Sequence, residues 1–202
     1  SQVHRQVVRK AATDRAITMD PATRLLYVEV TEPDMHEPAG DLERLKTALT
    51  EQWQIETGAV RINLPVLAKL QTALRKGNWA VTVSLFSAGG EDRILDVWPG
   101  YYDDGVYGLA IDLGSTTIAA HLCDLRTGQV LGSHGVMNPQ IRFGEDLMSR
   151  VSYAMMNPGG DAEMTAAVRT SINALTDTLA AEAGIDPGHI YELVFVCNPV
   201  MH

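Results

Sequence analysis

The stretch that most restricts the architecture of this chain is residues 107–125, "YGLAIDLGSTTIAAHLCDL". Apolar residues alternate with others on both sides of a short polar bend. Side chains at i and i+2 share a face of a strand, so the pattern predicts a hairpin of Tyr107–Leu113 and Ile118–Asp124. Leu109, Ile111 and Leu113 take one face, and Asp112 therefore points the other way at the very end of its strand, adjoining the bend. Gly114 has no Cβ and admits a close approach of a ligand, while Ser115, Thr116 and Thr117 add hydroxyls to their backbone N–H groups. Donors that converge on one concavity make an anion site, and a phosphate fits it. Asp112 would then hold Mg²⁺ through water, because Mg²⁺ keeps much of its hydration and favours a carboxylate beside phosphate oxygens. A plain polar turn, with Asp112 bonded to its own backbone, is the competing reading of the same residues. The loop is not a Walker A loop, since no GK[ST] follows. Nor is it a dinucleotide fingerprint, since the next element is a strand and not a helix.

Downstream, Gln129–Val136 extends the hairpin to a meander through "LRTG". "FGEDLMSRVSYAMM" (143–156) predicts a helix with Leu147, Val151 and Ala154 on one face. "DAEMTAAVRTSINALTDTLAAEAG" (161–184) predicts a longer one, capped by Asp161, stopped by Gly184 and carrying Met164, Val168, Ile172, Leu175 and Leu179 at helical spacing. A strand, Tyr191–Val196, follows. Upstream, residues 24–33 read as a strand ending at Pro33. A helix capped by Asp41 comes next, with Leu42, Leu45, Leu49 and Trp53 on its face. A second helix is capped by Asn63, has Pro65 in its first turn and Leu67, Leu70 and Leu74 as its face, and stops at Gly77. Residues 79–86 and 93–100 are two strands around the turn "SAGGED". The order β-α-α-β-β makes 21–105 a compact α+β unit in which nothing looks catalytic. Residues 1–20 are polar, basic and aperiodic, as a linker would be.

Composition narrows the partners. The 202 residues are 46% hydrophobic with a net charge of −9, which argues against a phosphate backbone as the main partner. No apolar run approaches the ~18 residues of a membrane span and no signal peptide is recognisable, so a soluble, cytoplasmic protein is expected, with no nucleic-acid or membrane partner. Cys123 and Cys197 lie far apart in apolar strand-like runs, and are expected as buried, reduced thiols. His121, His134 and His202 have no partner at metal-ligand spacing. An apolar strand so near the end, with nothing after it to cover it, predicts that the chain is a piece of a longer polypeptide. Its apolar surface could also pair two copies as a homodimer.

"AIDLGSTT" (110–117) resembles the first phosphate motif of the actin-like ATPase superfamily, and the meander agrees with that superfamily's ribonuclease-H-like core. With "MNPQIRFGEDLMSRVSYAM" (137–155) and "VFVCNPVMH" (194–202), in this order, the chain resembles the reductive activators of corrinoid-dependent enzymes. In that family an N-terminal [2Fe-2S] ferredoxin domain, a linker, a small middle domain and a large ATPase domain follow one another. The resemblance implies a linker over 1–20, an α+β middle domain over 21–105 and the truncated start of an actin-like ATPase domain over 106–202. The implied activity is repair: one electron returns an oxidised Co(II) corrinoid to Co(I), and ATP contributes by favouring a complex in which Co(II) is easier to reduce. The implied partner is a corrinoid protein or corrinoid-dependent methyltransferase. Asp112 would serve the metal, Gly114, Ser115, Thr116 and Thr117 the phosphates, and Asn198 would sit beside the nucleotide cleft.

Gln140 or Asp146 could orient the attacking water, and Arg142 could help bind a partner. The alternative is helix capping, since "FGED" puts Glu145 and Asp146 in a first turn where negative charge is favoured. The cluster cysteines of the ferredoxin domain and the later nucleotide motifs are absent, leaving one wall of a two-walled cleft. The 202-residue chain is thus expected to bind neither cluster nor nucleotide stably and not to hydrolyse ATP. The competing classes are a small-molecule kinase of the same superfamily, which would normally open at the phosphate hairpin, and a non-catalytic docking module.

Overall fold

A computed structural model describes residues 18–36, 38–56 and 60–198. The segment expected as a linker lies, apart from its last three residues, outside the described residues, as does His202. The chain divides into two compact units, one spanning Met19–Val106 and one beginning at Tyr107.

The first unit runs β1 (Thr23–Glu29), α1 (Asp41–Trp53), β2 (Arg61–Ile62), α2 (Leu64–Lys76), β3 (Ala80–Ala88) and β4 (Glu91–Pro99). Its sheet has the order β1-β3-β4-β2; the first three strands are antiparallel and β2 runs parallel to β4. Period-two patterning turns Leu26 and Val28 of β1 and Val81, Val83 and Leu85 of β3 to one side. There they meet Leu45 and Leu49 of α1 and Leu70 and Leu74 of α2, all buried. Gly89 and Gly90, at φ of 62° and 78°, make the two-residue bend between β3 and β4, tighter than the expected "SAGGED" because glycines at positive φ match the twist of the paired strands.

Several expectations for this unit are corrected. The two-residue strand β2 carries too short a pattern to register. The first strand ends at Glu29, short of Pro33. Gly40, not Asp41, is the N-cap of α1: Glu43 Oε2 accepts from the Gly40 N–H at 3.1 Å. Asp41 sits one position inside and holds Arg75 at 2.7 Å. On α2 Leu70 and Leu74 are buried as expected, but Val66 joins them while Leu67 is 38% exposed. Trp53 is 44% exposed, and its indole N–H donates to the Tyr27 carbonyl at 2.8 Å.

The second unit runs β5 (Tyr107–Leu113), β6 (Thr117–Asp124), β7 (Val130–Met137), a 3-10 turn (Pro139–Phe143), α3 (Leu147–Met156), α4 (Gly160–Ala183), a short 3-10 turn (Pro187–His189) and β8 (Ile190–Cys197). The sheet order is β7-β6-β5-β8, an antiparallel meander with β8 added parallel to β5. Val168, Ile172, Leu175 and Leu179 of α4 seal one face over Leu109, Ile111 and Ile118. Burying one such side chain contributes roughly 1.5–3 kcal/mol. Gly159, not Asp161, is the N-cap of α4, and Gly184 ends the helix at φ 68° as expected. The predicted helix 143–156 begins late: Pro139 starts a separate 3-10 turn, and Asp146 caps α3 from outside. Leu193, Val194, Phe195 and Val196 of β8 are all about half exposed or more.

Candidate functional site

The parallel pair β5 and β8 brings two chain segments to one end of the sheet. Leu113 pairs with Cys197 and Asp112 with Val196, so the bend after β5 and Asn198 after β8 both leave from the carboxyl ends of adjacent parallel strands. Open α/β sheets take ligands at that edge. Ser115 and Thr116 are exposed there, Gly114, Thr117 and Asp112 are half-buried, and Asn198 is exposed.

The bend is closed by the Gly114 N–H donating to the Thr117 carbonyl at 3.0 Å. A Cβ on Gly114 would lie 2.8 Å from that carbonyl oxygen. The glycine is thus demanded by the turn itself, a reason independent of the ligand approach expected from the sequence.

Two residues that the sequence patterning did not single out hold the bend from behind. Asn138 is 1% exposed. Its Nδ2 donates to the Gly114 carbonyl at 2.8 Å, its backbone N–H to the Thr116 carbonyl at 2.8 Å, and its Oδ1 accepts from the Gln140 N–H at 2.9 Å. Arg150, on α3, is 3% exposed. Its Nε donates to the Gly144 carbonyl at 2.9 Å and its Nη2 to the Ser115 carbonyl at 2.7 Å. Burial lowers the Arg150 pKa, partly offset by the charge of Asp146, yet a guanidinium stays protonated in proteins. Three successive carbonyls of the bend, those of Gly114, Ser115 and Thr116, are therefore tied to one side. A peptide is planar and trans, so the N–H that follows each carbonyl points the opposite way. The N–H groups of Ser115 and Thr116 are thereby presented away from Asn138 and Arg150. Both residues had a signal in the sequence. Asn138 precedes Pro139, a turn-initiating pair, and Arg150 occupies an inward position of the stripe Leu147, Val151, Ala154.

The remaining candidates have other partners. Gln140 sits in the 3-10 turn, half-buried, with its Nε2 3.5 Å from the Met164 carbonyl of α4, a long contact. Asp146 is exposed and caps α3: its Oδ1 accepts from the Ser149 N–H at 2.7 Å. The Ser149 hydrogen bonds, backbone first, hold its carboxyl below the ordinary range, with Met148 and Arg150 adding to the effect. Arg142 is exposed and stacks over the Phe143 ring at 4.6 Å. Glu145 is exposed. His121 pairs with Ser133 at 2.7 Å and His134 with Glu182 at 2.9 Å. The thiols of Cys123 and Cys197 are free and half-buried, and burial raises the Cys123 pKa.

Among the described residues no group of three or more His, Cys, Asp or Glu is arranged to hold a metal ion by itself. One carboxylate beside a hydroxyl-bearing bend is nonetheless the donor set that hydrated Mg²⁺ takes together with phosphate oxygens. A plant-type [2Fe-2S] cluster does not fit: it needs four cysteine ligands and the chain has two. Among the described residues no helix is long and apolar enough to cross a membrane.

A small α+β unit followed by a meander, two helices and a parallel strand defines a mixed α+β chain that matches an actin-like, ribonuclease-H-like fold. Residues 12–104 match the model of the RACo linker region and residues 107–202 that of the RACo middle region, so between them the chain belongs to the RACo family. The family's "linker region" thus takes in the folded α+β unit, and its "middle region" the unit that carries the bend. The chain is similar to the corrinoid activation enzyme RamQ of Eubacterium limosum, 32% identical over 111 residues, which are 54% of this chain and 19% of that protein. It is also similar to a solved reductive activator for corrinoid, iron-sulfur protein, with a TM-score of 0.82 and 33% identity over 96% of this chain and 31% of that one. The chain therefore spans less than a third of the length of either relative.

Proposed function

We propose that this chain is part of an ATP-dependent reductive activator that returns an oxidised Co(II) corrinoid to Co(I) by one-electron transfer. The corrinoid belongs to a partner protein or methyltransferase and is substrate here. The electron comes from a reduced [2Fe-2S] centre on another domain, which is oxidised by one electron as cobalt is reduced. The partner and the activity are supported by the likeness to RamQ and to the solved activator. The nucleotide role is supported chiefly by the bend 114–116, with its carbonyls drawn to one side at the carboxyl edge of β5 and β8.

When bound, Mg²⁺ would neutralise phosphate charge, and Asp112 would hold it through water. Ser115, Thr116 and Thr117 would bind phosphate oxygens, with Gly114 keeping the bend closed and Asn198 flanking the cleft. Gln140 and Asp146 are the candidates for orienting the attacking water, each after leaving its present partner. The domain limits we propose are a linker over 1–20, an α+β domain over 21–105 and the start of the ATPase domain over 106–202, in a cytoplasmic protein. Its partners include neither nucleic acid nor membrane, and the exposed run of β8 offers an edge through which copies of this chain would pair.

The test follows cobalt by absorbance in a methyltransferase system containing the full-length protein. Asp112→Asn should slow ATP-dependent formation of Co(I) by about ten- to a hundredfold, the usual cost of losing an outer-shell metal partner. Reduction at the wild-type rate would remove Asp112 from the metal site.

A further inference from the structure

We propose that Arg150, with Asn138, is the positioning residue that sets the bend 114–116 in its anion-binding form. The inference rests on reading that bend as a phosphate site.

A buried guanidinium is costly unless its donors are met. Arg150 meets two of them, through Gly144 and Ser115, while its Nη1 is buried without a partner among the described residues. An apolar residue at this position of α3 would carry none of that cost. The arrangement does two things that packing alone would not. Drawing the Ser115 carbonyl inward fixes the peptide plane, so the Thr116 N–H faces the exposed side. Asn138 does the same for the flanking peptides through Gly114 and Thr116. The guanidinium also leaves a full positive charge behind the bend in a poorly solvated place, where it polarises the peptide and favours an anion in front of it. Gly144 belongs to the same device: a Cβ there would lie 2.7 Å from the Ser149 Cβ and 2.8 Å from the Arg150 backbone nitrogen, so only a residue without a side chain brings this segment so close to the start of α3, where its carbonyl accepts from Arg150 Nε. Asp146, which caps α3, is the acidic group whose charge acts on Arg150, and its own oxygen is spent on Ser149.

Backbone amide spectra of the full-length protein, titrated with Mg·ATP as the probe, test this. In the wild type the Ser115 and Thr116 signals should shift saturably, in the millimolar range. Arg150→Met should weaken that response about tenfold or more, the effect of losing a charge-assisted hydrogen bond. Arg150→Lys should recover only part of it, because one ammonium cannot span the Gly144 and Ser115 carbonyls. Leu175→Ala, which lowers stability without touching the bend, should keep the wild-type affinity. If Arg150→Met does not fold, the comparison of Arg150→Lys with Leu175→Ala decides. Wild-type affinity in a folded Arg150 variant overturns the positioning role and leaves the phosphate reading standing. No response of the Ser115 and Thr116 signals in the wild type overturns the phosphate reading and this proposal with it.

Discussion

Gly114 shows how one absent atom fixes a site. The distance of 2.8 Å between a Cβ there and the Thr117 oxygen is closer than carbon and oxygen tolerate without a backbone shift. Gly114→Ala should therefore open the bend and cost about 1–3 kcal/mol, as other overpacked positions do, seen as a lower melting midpoint. The Ser115 and Thr116 amide signals should move while those of β1 and β3 stay. An unchanged bend would mean that the turn has slack that this packing does not predict. At this scale the sequence was partly legible. Gly114 and the hydroxyl residues stood out by composition and pattern. Asn138 and Arg150 did not, because what makes them important is burial, and a lone Arg in a helix is usually on the solvent face. Its position in the apolar stripe was the only clue.

Among the elements, α4 and the hairpin of β5 and β6 follow from periodicity, since each pattern is long and each buries its apolar face as the spacing requires. The beginning of α3 does not. Pro139 and Gly144 break the chain into a 3-10 turn and a short extended link before Asp146 can cap, and these local effects outweigh the apparent helical stripe. The cap makes α3 pH-sensitive. The carboxyl of Asp146 lies below its ordinary value in the folded chain, so its contribution is fully present above the unfolded pKa and is lost as pH falls through the folded one. Asp146→Asn keeps an acceptor for Ser149 and removes the titration. It should flatten the acid limb of an α3 hydrogen-exchange profile below about pH 4, whereas the wild type frays there. An acid limb identical in both proteins would exclude Asp146 as its source.

For the whole molecule, the sheet of the second unit ends on β8, whose residues Leu193–Val196 are exposed on an outer strand. Unpaired apolar edges of this kind pair with other chains. The 202-residue chain should therefore associate as its concentration rises, by sedimentation, and Val194→Lys, at a position 57% exposed, should suppress this without lowering the melting midpoint. Association unaffected by that change would place the contact elsewhere. The chain divides into two folded units at Tyr107, and the label that the family gives each unit has no expression in the residues.

The nucleotide reading stands most directly before one measurement: diffraction from the full-length protein crystallised with Mg²⁺ and a non-hydrolysable ATP analogue. The account predicts a phosphate oxygen within about 2.7–3.2 Å of the Ser115 or Thr116 nitrogen, with Mg²⁺ joined to Asp112 through water. A nucleotide bound elsewhere, with this bend turned to bulk solvent, would contradict it.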